Sequence, residues 1–158
     1  TKGFTLIELL VVIAIIALLS SIVLASLQSV RAKSRDTQRV RHINEMRTAL
    51  ELYRTTVGNY PISTNWRGVC SNFGSHGVTG SSGYIPNLAP TYIQELPVDP
   101  KPIDNSSCYV YKTNATGEEY MFLIYRTVEG PLVPLLVRPS APTEKSYAIY
   151  TPGVGATY

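Results

Sequence analysis

Gly3-Phe4-Thr5-Leu6-Ile7-Glu8-Leu9-Leu10-Val11-Val12-Ile13-Ala14-Ile15-Ile16 opens the stretch on which the fold turns. From Leu9 to Val30 there are 22 residues without a charge, and Leu9–Leu19 is unbroken Leu, Val, Ile and Ala. At about 1.5 Å per residue such a run makes a helix of about 33 Å, long enough to cross the hydrocarbon of a bilayer. A cleavable secretory signal is one rival, with Val23-Leu24-Ala25 as a passable cleavage site. A weakly basic start and Glu8 inside the apolar end oppose it. An ordinary single-pass anchor is the other rival. The basic residues that follow the run would then place its C-terminal side in the cytoplasm.

The rest of the chain has a different character. The 158 residues average 44% apolar with a mean hydropathy of +0.04, but the apolar residues are concentrated at one end. The remainder is rich in Tyr (11), Pro (11) and Gly (11), so a greasy N-terminal rod precedes a head punctuated by turns. The apolar content excludes a disordered chain. Net charge is +3, unevenly placed. Residues 28–57 carry seven basic side chains against Asp36, Glu45 and Glu51, while residues 58–158 are net −1. Arg31, Lys33, Arg35, Arg39 and Arg41 form a basic collar just beyond the apolar run. Such a collar suits lipid phosphates, nucleic acid or an acidic neighbouring subunit.

Glu8 is the anomaly in the rod. A carboxylate near the bilayer centre costs about 2.5–3.5 kcal/mol, and less at the interface. It either lies solvated at the headgroups or meets a cation on another subunit. Beyond the rod, Val40, Ile43, Met46, Leu50, Tyr53 and Val57 recur at spacings of three and four, which is one helical face. No Pro or Gly interrupts residues 28–57, so one helix is expected from about Phe4 to about Val57, or about 80 Å. Gly58 and Pro61 stop it. Its first half is apolar all round, with Ser20-Ser21 the only soft spot. Its second half lays an apolar stripe on the head. A coiled-coil seam is the alternative use of that stripe, which runs under three heptads.

The Gly3–Ile16 stretch resembles the class III signal of type IV pilins and type II secretion pseudopilins. The resemblance implies a peptidase cut between Gly3 and Phe4, with methylation of the new N-terminal Phe4. Residues 1–3 are then residual leader. It also implies that Glu8 pairs with the terminal ammonium of a neighbouring subunit. The family resemblance extends to Met46–Tyr53 followed by Gly58-Asn59-Tyr60-Pro61, and to the turn Leu96-Pro97-Val98-Asp99-Pro100.

The organisation expected is an α+β, pilin-like fold. Residues 4–27 form a transmembrane and filament-core helix, residues 28–57 an amphipathic half, and residues 58–158 a head built on a small antiparallel sheet. Residues 64–83, rich in Gly, Ser and Asn, are expected to form a long loop. Leu88–Glu95 is expected to form a short helix. Strands are expected at about Cys108–Thr113, Glu119–Thr127 and Ser146–Thr151, with a candidate at Leu132–Val137. Asn114-Ala115-Thr116-Gly117 supplies the first hairpin turn. Alternation of Tyr109, Tyr111 and of Tyr120, Phe122, Ile124 fits a sheet with one buried face, covered by the helix stripe.

Two cysteines in an exported head read as one disulfide, Cys70–Cys108. A metal site from Cys70, His76 and Cys108 lacks a fourth ligand and tight spacing. The calcium loop of some pseudopilins does not carry over, because Ser140–Tyr158 holds Glu144 as its one acid. No metal or other cofactor is expected. His42 reads as a solvated helix residue. Asn105-Ser106-Ser107 and Asn114-Ala115-Thr116 match the glycosylation sequon, a pattern common by chance. No nucleophile elbow, phosphate loop or metal signature supports an enzyme.

Together these readings describe a homo-oligomeric filament subunit, held in the inner membrane before assembly and then carried in a cell-surface fibre. Its partners would be its own copies, the prepilin peptidase and the inner-membrane assembly machinery. A major pseudopilin and a DNA-uptake filament subunit, with nucleic acid as partner, are the alternatives within the class. A membrane-anchored binding protein that never polymerises is the alternative outside it.

Overall fold

The computed structural model describes residues 3–138 and 140–151. Thr1 and Lys2, which the resemblance assigns to a residual leader, and residues 152–158 lie outside them. Helix α1 runs Leu6–Val57 without a break. At the proposed soft spot the helix continues, and the Ser21 hydroxyl donates to the Leu18 carbonyl at 2.8 Å. The helix stops where Gly58 takes a φ of +98° while its N–H still reaches the Arg54 carbonyl at 2.8 Å. A left-handed residue satisfies one last carbonyl and turns the chain away, which glycine does without steric cost.

The chain divides into two compact units, Thr1–Ser34 and Arg35–Tyr158. In the first, the described side chains of the apolar run are exposed, Leu6, Ile7 and Leu18 among the most. The helix is long and apolar enough to cross a membrane by length and composition.

In the second unit the helix stripe meets a four-stranded antiparallel sheet ordered β1-β2-β3-β4. The strands are β1 (Arg67–Gly68), β2 (Tyr109–Thr113), β3 (Tyr120–Ile124) and β4 (Tyr147–Tyr150). The period of two sends Tyr109, Tyr111, Tyr120, Phe122, Ile124, Tyr147 and Ile149 to the helix side. There they form one cluster with Ile43, Met46, Ala49 and Leu50. Of the expected stripe, Ile43, Met46 and Leu50 are fully buried, Val40 and Tyr53 pack partly, and Val57 is exposed.

Several details differ from the sequence reading. The sheet is buried on both faces. Cys108, Val110, Met121, Leu123 and Ala148 form a second cluster under Trp66, Val69, Cys70 and Phe73. That explains why β3, Tyr-Met-Phe-Leu-Ile, is buried along its whole length. The cover comes from the region expected to be a plain loop, which holds β1 and a 3-10 turn at Ser71–Phe73. Gly68 in β1 lies so close to its neighbours that a Cβ would stand 2.9 Å from Cys108 Sγ and from the Tyr109 carbonyl.

Leu88–Glu95 is a series of turns rather than a helix. Asn87 sits at a φ of +58° just before it, and Pro90 offers no N–H for a helical ladder. One helical bond survives, from Tyr92 N–H to the Leu88 carbonyl at 3.0 Å. Leu132–Val137 is likewise no strand. Pro134–Leu136 forms a 3-10 turn, and Val137 makes only an isolated bridge to Tyr147. His42 is buried rather than solvated, and its Nδ1 lies 2.9 Å from the Tyr109 hydroxyl.

Cys70 and Cys108 are joined, which ties the covering segment to the start of β2. Closing a loop of about 39 residues restricts the unfolded chain by about 4 kcal/mol in the chain-entropy account. Reduction should therefore lower the melting temperature of the head by several degrees or more, read by near-ultraviolet circular dichroism with and without reductant. An unchanged melt, or two thiols titrating in non-reduced denatured protein, would contradict this.

Candidate functional site: the rod terminus and a buried charge clamp

Two groups of side chains carry the chemistry, one in each unit. At the rod terminus Thr5 precedes the first helical residue, Leu6. Its N–H and its hydroxyl both donate to Glu8 Oε2, at 2.8 and 2.7 Å, and the Glu8 N–H reaches the Thr5 hydroxyl at 3.3 Å. This reciprocal capping box satisfies backbone donors that the first turn leaves unpaired. The pattern Thr-x-x-Glu ahead of an apolar run was available in the sequence, and it is the signal that reading Glu8 as either a solvated headgroup-level carboxylate or a docking charge passed over. Phe4 beside it is exposed, and Gly3 has no heavy atom near the position a Cβ would take.

The second group centres on Arg39. Its side chain is fully buried, on the same face as Ile43, Met46 and Leu50. Nε and Nη2 each donate to Asp99, both at 2.8 Å, in a two-point fork. Nη1 donates to Asp36 at 2.7 Å and to Glu129 at 3.2 Å. Arg35 forks onto Glu129 with two bonds of 2.6 Å. Asp36 also accepts the backbone N–H groups of Glu129 (3.2 Å) and Gly130 (2.7 Å). Lys101 reaches Glu129 at 3.4 Å, and its backbone N–H donates to Asp99 at 2.8 Å.

Three cations and three carboxylates thus lock the helix to the Asp99 turn and to the segment after β3. Planar guanidinium forks suit such buried pairing. Burial opposes the charge on Arg39, but the bonds and charge of Asp99, with Asp36 and Glu129, outweigh it and raise its pKa. Hydrogen bonding from Arg35, aided by Arg39 and Lys101 against some desolvation, pulls Glu129 down to about 2.

The clamp divides the basic collar. Arg39 is withdrawn from it because its charge is consumed inside the head, and Arg35 is engaged by Glu129. Arg41 lies outside, in an exposed pair with Glu45 at 3.4 Å. Arg31 and Lys33 are exposed, in the other unit. The clamp was partly legible. Arg39 shares the spacing of the buried stripe, Asp36 stands one turn before it, and Asp99 lies in the Leu96–Pro100 turn. The partner Glu129 left no local signal. Among the described residues no group of three or more His, Cys, Asp and Glu is arranged to hold a metal ion.

Comparison with known proteins agrees with this anatomy. The prokaryotic N-terminal methylation motif matches residues 1–24. Over 99 residues the chain is 32% identical to the type II secretion system core protein G of Klebsiella michiganensis, covering 63% of this chain and 67% of that protein. The chain belongs to the type IV pilin and type II secretion pseudopilin family. The core protein G of Escherichia coli is 32% identical over 104 residues, 63% of this chain and 66% of that protein. The type IV wide pilus major component of Thermus thermophilus is 41% identical over 59 residues, 37% of this chain. The aligned region spans 45% of that pilus protein's length. No solved structure matches.

Two predictions test the clamp in the detergent-solubilised chain. Arg39→Ala leaves Asp99 buried without its cation and should cost about 3–5 kcal/mol in urea unfolding. Arg39→Leu combined with Asp99→Leu should recover most of that loss. If the double variant is no more stable than the single, the clamp is not a closed electrostatic unit.

The second concerns pH. Burial, with help from Arg41 and Arg39, lowers the pKa of His42 below 6.5. The fold therefore prefers neutral His42, and its contribution is intact above pH 6.5 and declines as pH falls below it. Glu129 adds a second window, with stability lost as pH falls from 4.5 towards 2. His42→Gln should flatten the melting temperature between pH 7.5 and 5.5 and leave the lower window in place. An equal slope in the two proteins would remove His42 from the account.

Proposed function

We propose that this chain is the structural subunit of a type IV pilus-like extracellular filament. Before assembly it is held in the inner membrane by its N-terminal helix. The observation that carries the reading is the rod itself. A charge-free apolar helix surface, exposed in the single chain, has to be covered by lipid or by other rods. A bilayer covers it in storage and neighbouring copies cover it in the fibre. The prepilin peptidase would cut between Gly3 and Phe4, methylation would follow at Phe4, and the inner-membrane assembly machinery would extract the subunit. Filament formation requires no catalytic group of the chain.

A second reading, the major pseudopilin of a type II secretion system, is favoured by one observation. Similarity to the core protein G relatives extends over 63% of this chain, against 37% for the wide pilus relative. The disulfide-tied cover of the sheet, elaborated in residues 64–83, favours the surface pilus. The DNA-uptake reading rested on the collar, and three of its five cations pair with intrachain carboxylates, Arg35 and Arg39 inside the clamp and Arg41 on the surface. Electron microscopy of the sheared surface fraction tests the reading directly. Fibres that carry this chain support it, and their absence from cells that hold the chain in the membrane favours a non-polymerising anchor.

Glu8 is proposed as the docking charge, meeting the α-ammonium of Phe4 on an adjacent chain once Gly3 is removed. Its capping role makes a clean separation possible. Glu8→Gln keeps a capping side chain and loses the charge, Glu8→Leu loses both, and Thr5→Val removes the cap hydroxyl and keeps the charge. Both Glu8 variants should insert into the membrane and fail to give fibres, whereas Thr5→Val should still assemble. Wild-type fibre yield from Glu8→Gln would reduce Glu8 to a helix cap.

A further inference from the structure

β1 is the edge strand of the sheet, and a cavity of about 370 Å³ opens beside it. Residues 62–67 and His76 line it. The chain returns after the 3-10 turn at Ser71–Phe73, and the His76 N–H donates to the Gly68 carbonyl at 2.9 Å, which holds His76 at this edge. The volume is that of a site for a small organic molecule.

The charge balance of the lining differs from that of the rest of the head. Of the described arginines that are not exposed, Arg35, Arg39 and Arg138 each pair with a carboxylate of this chain, and Arg67 pairs with none. Its Nη2 donates to the Gly83 carbonyl at 2.9 Å, and its Nε is buried with no acceptor among the described residues. A guanidinium withdrawn from water without a counter-charge is costly, and an anion beside it relieves that cost. No acidic residue lines the cavity to supply one.

The remaining groups narrow the kind of anion. Burial, helped by the charge of Arg67, lowers the pKa of His76 below 6.5, so at neutral pH its ring is an uncharged hydrogen-bonding group. The lining then holds one fixed positive charge, with the Lys112 ammonium outside it, 5.8 Å from the centre of the Trp66 ring. One fixed charge suits a carboxylate better than a phosphate, which is close to doubly charged at pH 7. Thr64 and Asn65 are exposed and add a hydroxyl and an amide, and Trp66 adds a rigid aromatic wall with one polar edge. Hydrogen-bonding groups beside an aromatic wall match a ligand whose body carries both hydroxyls and C–H surface.

We propose that this cavity binds a sugar acid of the uronate class, its carboxylate held by Arg67 and His76 and its hydroxyls by Thr64 and Asn65 beside the Trp66 indole. The site belongs to the head alone and stands whether the chain serves a surface pilus or a secretion pseudopilus.

Trp66 is the only tryptophan of the chain, so its fluorescence reports on this cavity. Sodium glucuronate titrated into the detergent-solubilised chain at pH 7 and fixed ionic strength should give a saturable change in the millimolar range. Glucose, a similar ring without the carboxylate, should bind about tenfold more weakly or worse, the loss expected for one charge-assisted contact, and inorganic phosphate should not saturate. Arg67→Gln should abolish the response to glucuronate. Because Arg67 lies in a strand, Asn65→Asp provides a second variant at an exposed position: it should keep the wild-type melting temperature, and its added carboxylate should weaken glucuronate about tenfold. No saturable change with glucuronate, glucose or phosphate binding as well as glucuronate does, or wild-type affinity in either variant would overturn the sugar-acid site.

Discussion

The fork between Arg39 and Asp99 is the interaction on which the head depends. Arg39 stands on the helix face that otherwise holds Ile43, Met46 and Leu50, so a charge occupies a position whose neighbours are apolar. Unpaired, it would oppose docking of the helix. Paired by two bonds of 2.8 Å to a carboxylate that is itself buried, it fixes where the helix meets the sheet. Apolar packing is non-directional and tolerates sliding along a stripe, whereas a two-point fork does not. The remaining members extend the constraint. Asp36 holds two backbone N–H groups after β3, and Arg35 and Lys101 converge on Glu129. Three separate segments are registered by one closed set of charges.

The disulfide acts on the other face of the sheet. A four-stranded sheet with short strands has little area of its own. Its outer surface, Val110, Met121, Leu123 and Ala148, needs cover as much as its inner one does. The segment around Trp66 and Phe73 supplies part of that cover, and the bond from Cys70 to Cys108 keeps it there. The sheet is thus held from one side by ion pairs and from the other by a covalent link, around a core in which Tyr60, Tyr84, Tyr109 and Tyr111 are fully buried.

What the sequence made legible follows from periodicity and punctuation. The helix, its stop at Gly58 and the strand pair around Asn114–Gly117 all rest on local signals, and each stands within a few residues of its expected bounds. Leu88–Glu95 misled because its apolar content resembled a helix, while the backbone at Asn87 and the missing N–H of Pro90 decided otherwise. β1 escaped because two residues carry no alternation, and pairing with β2 is what makes Arg67–Gly68 a strand. At the candidate sites the pattern is the same. Glu8 and the two cysteines stood out by composition. The Arg39 clamp joins residues up to 94 positions apart, and charge counted along the chain reads its cations as a solvated collar.

The rod poses a problem of specificity that its own surface does not solve. A helix that is apolar all round has no preferred face, and burial against lipid or against another rod is rewarded almost equally in any rotation or register. An ordered fibre therefore needs directional groups from elsewhere. Glu8 is the only charged side chain between Gly3 and Val30, so on the docking proposal it is the side chain that would fix an axial position. A charge at one level fixes height and leaves rotation free. Rotation has to be set by surfaces that differ from side to side, and the head has such surfaces because the clamp and the disulfide hold its loops in fixed places. On the filament reading proposed above, the buried charges of the head and the one charged side chain of the rod would serve one end, that of turning a non-directional apolar attraction into a defined order.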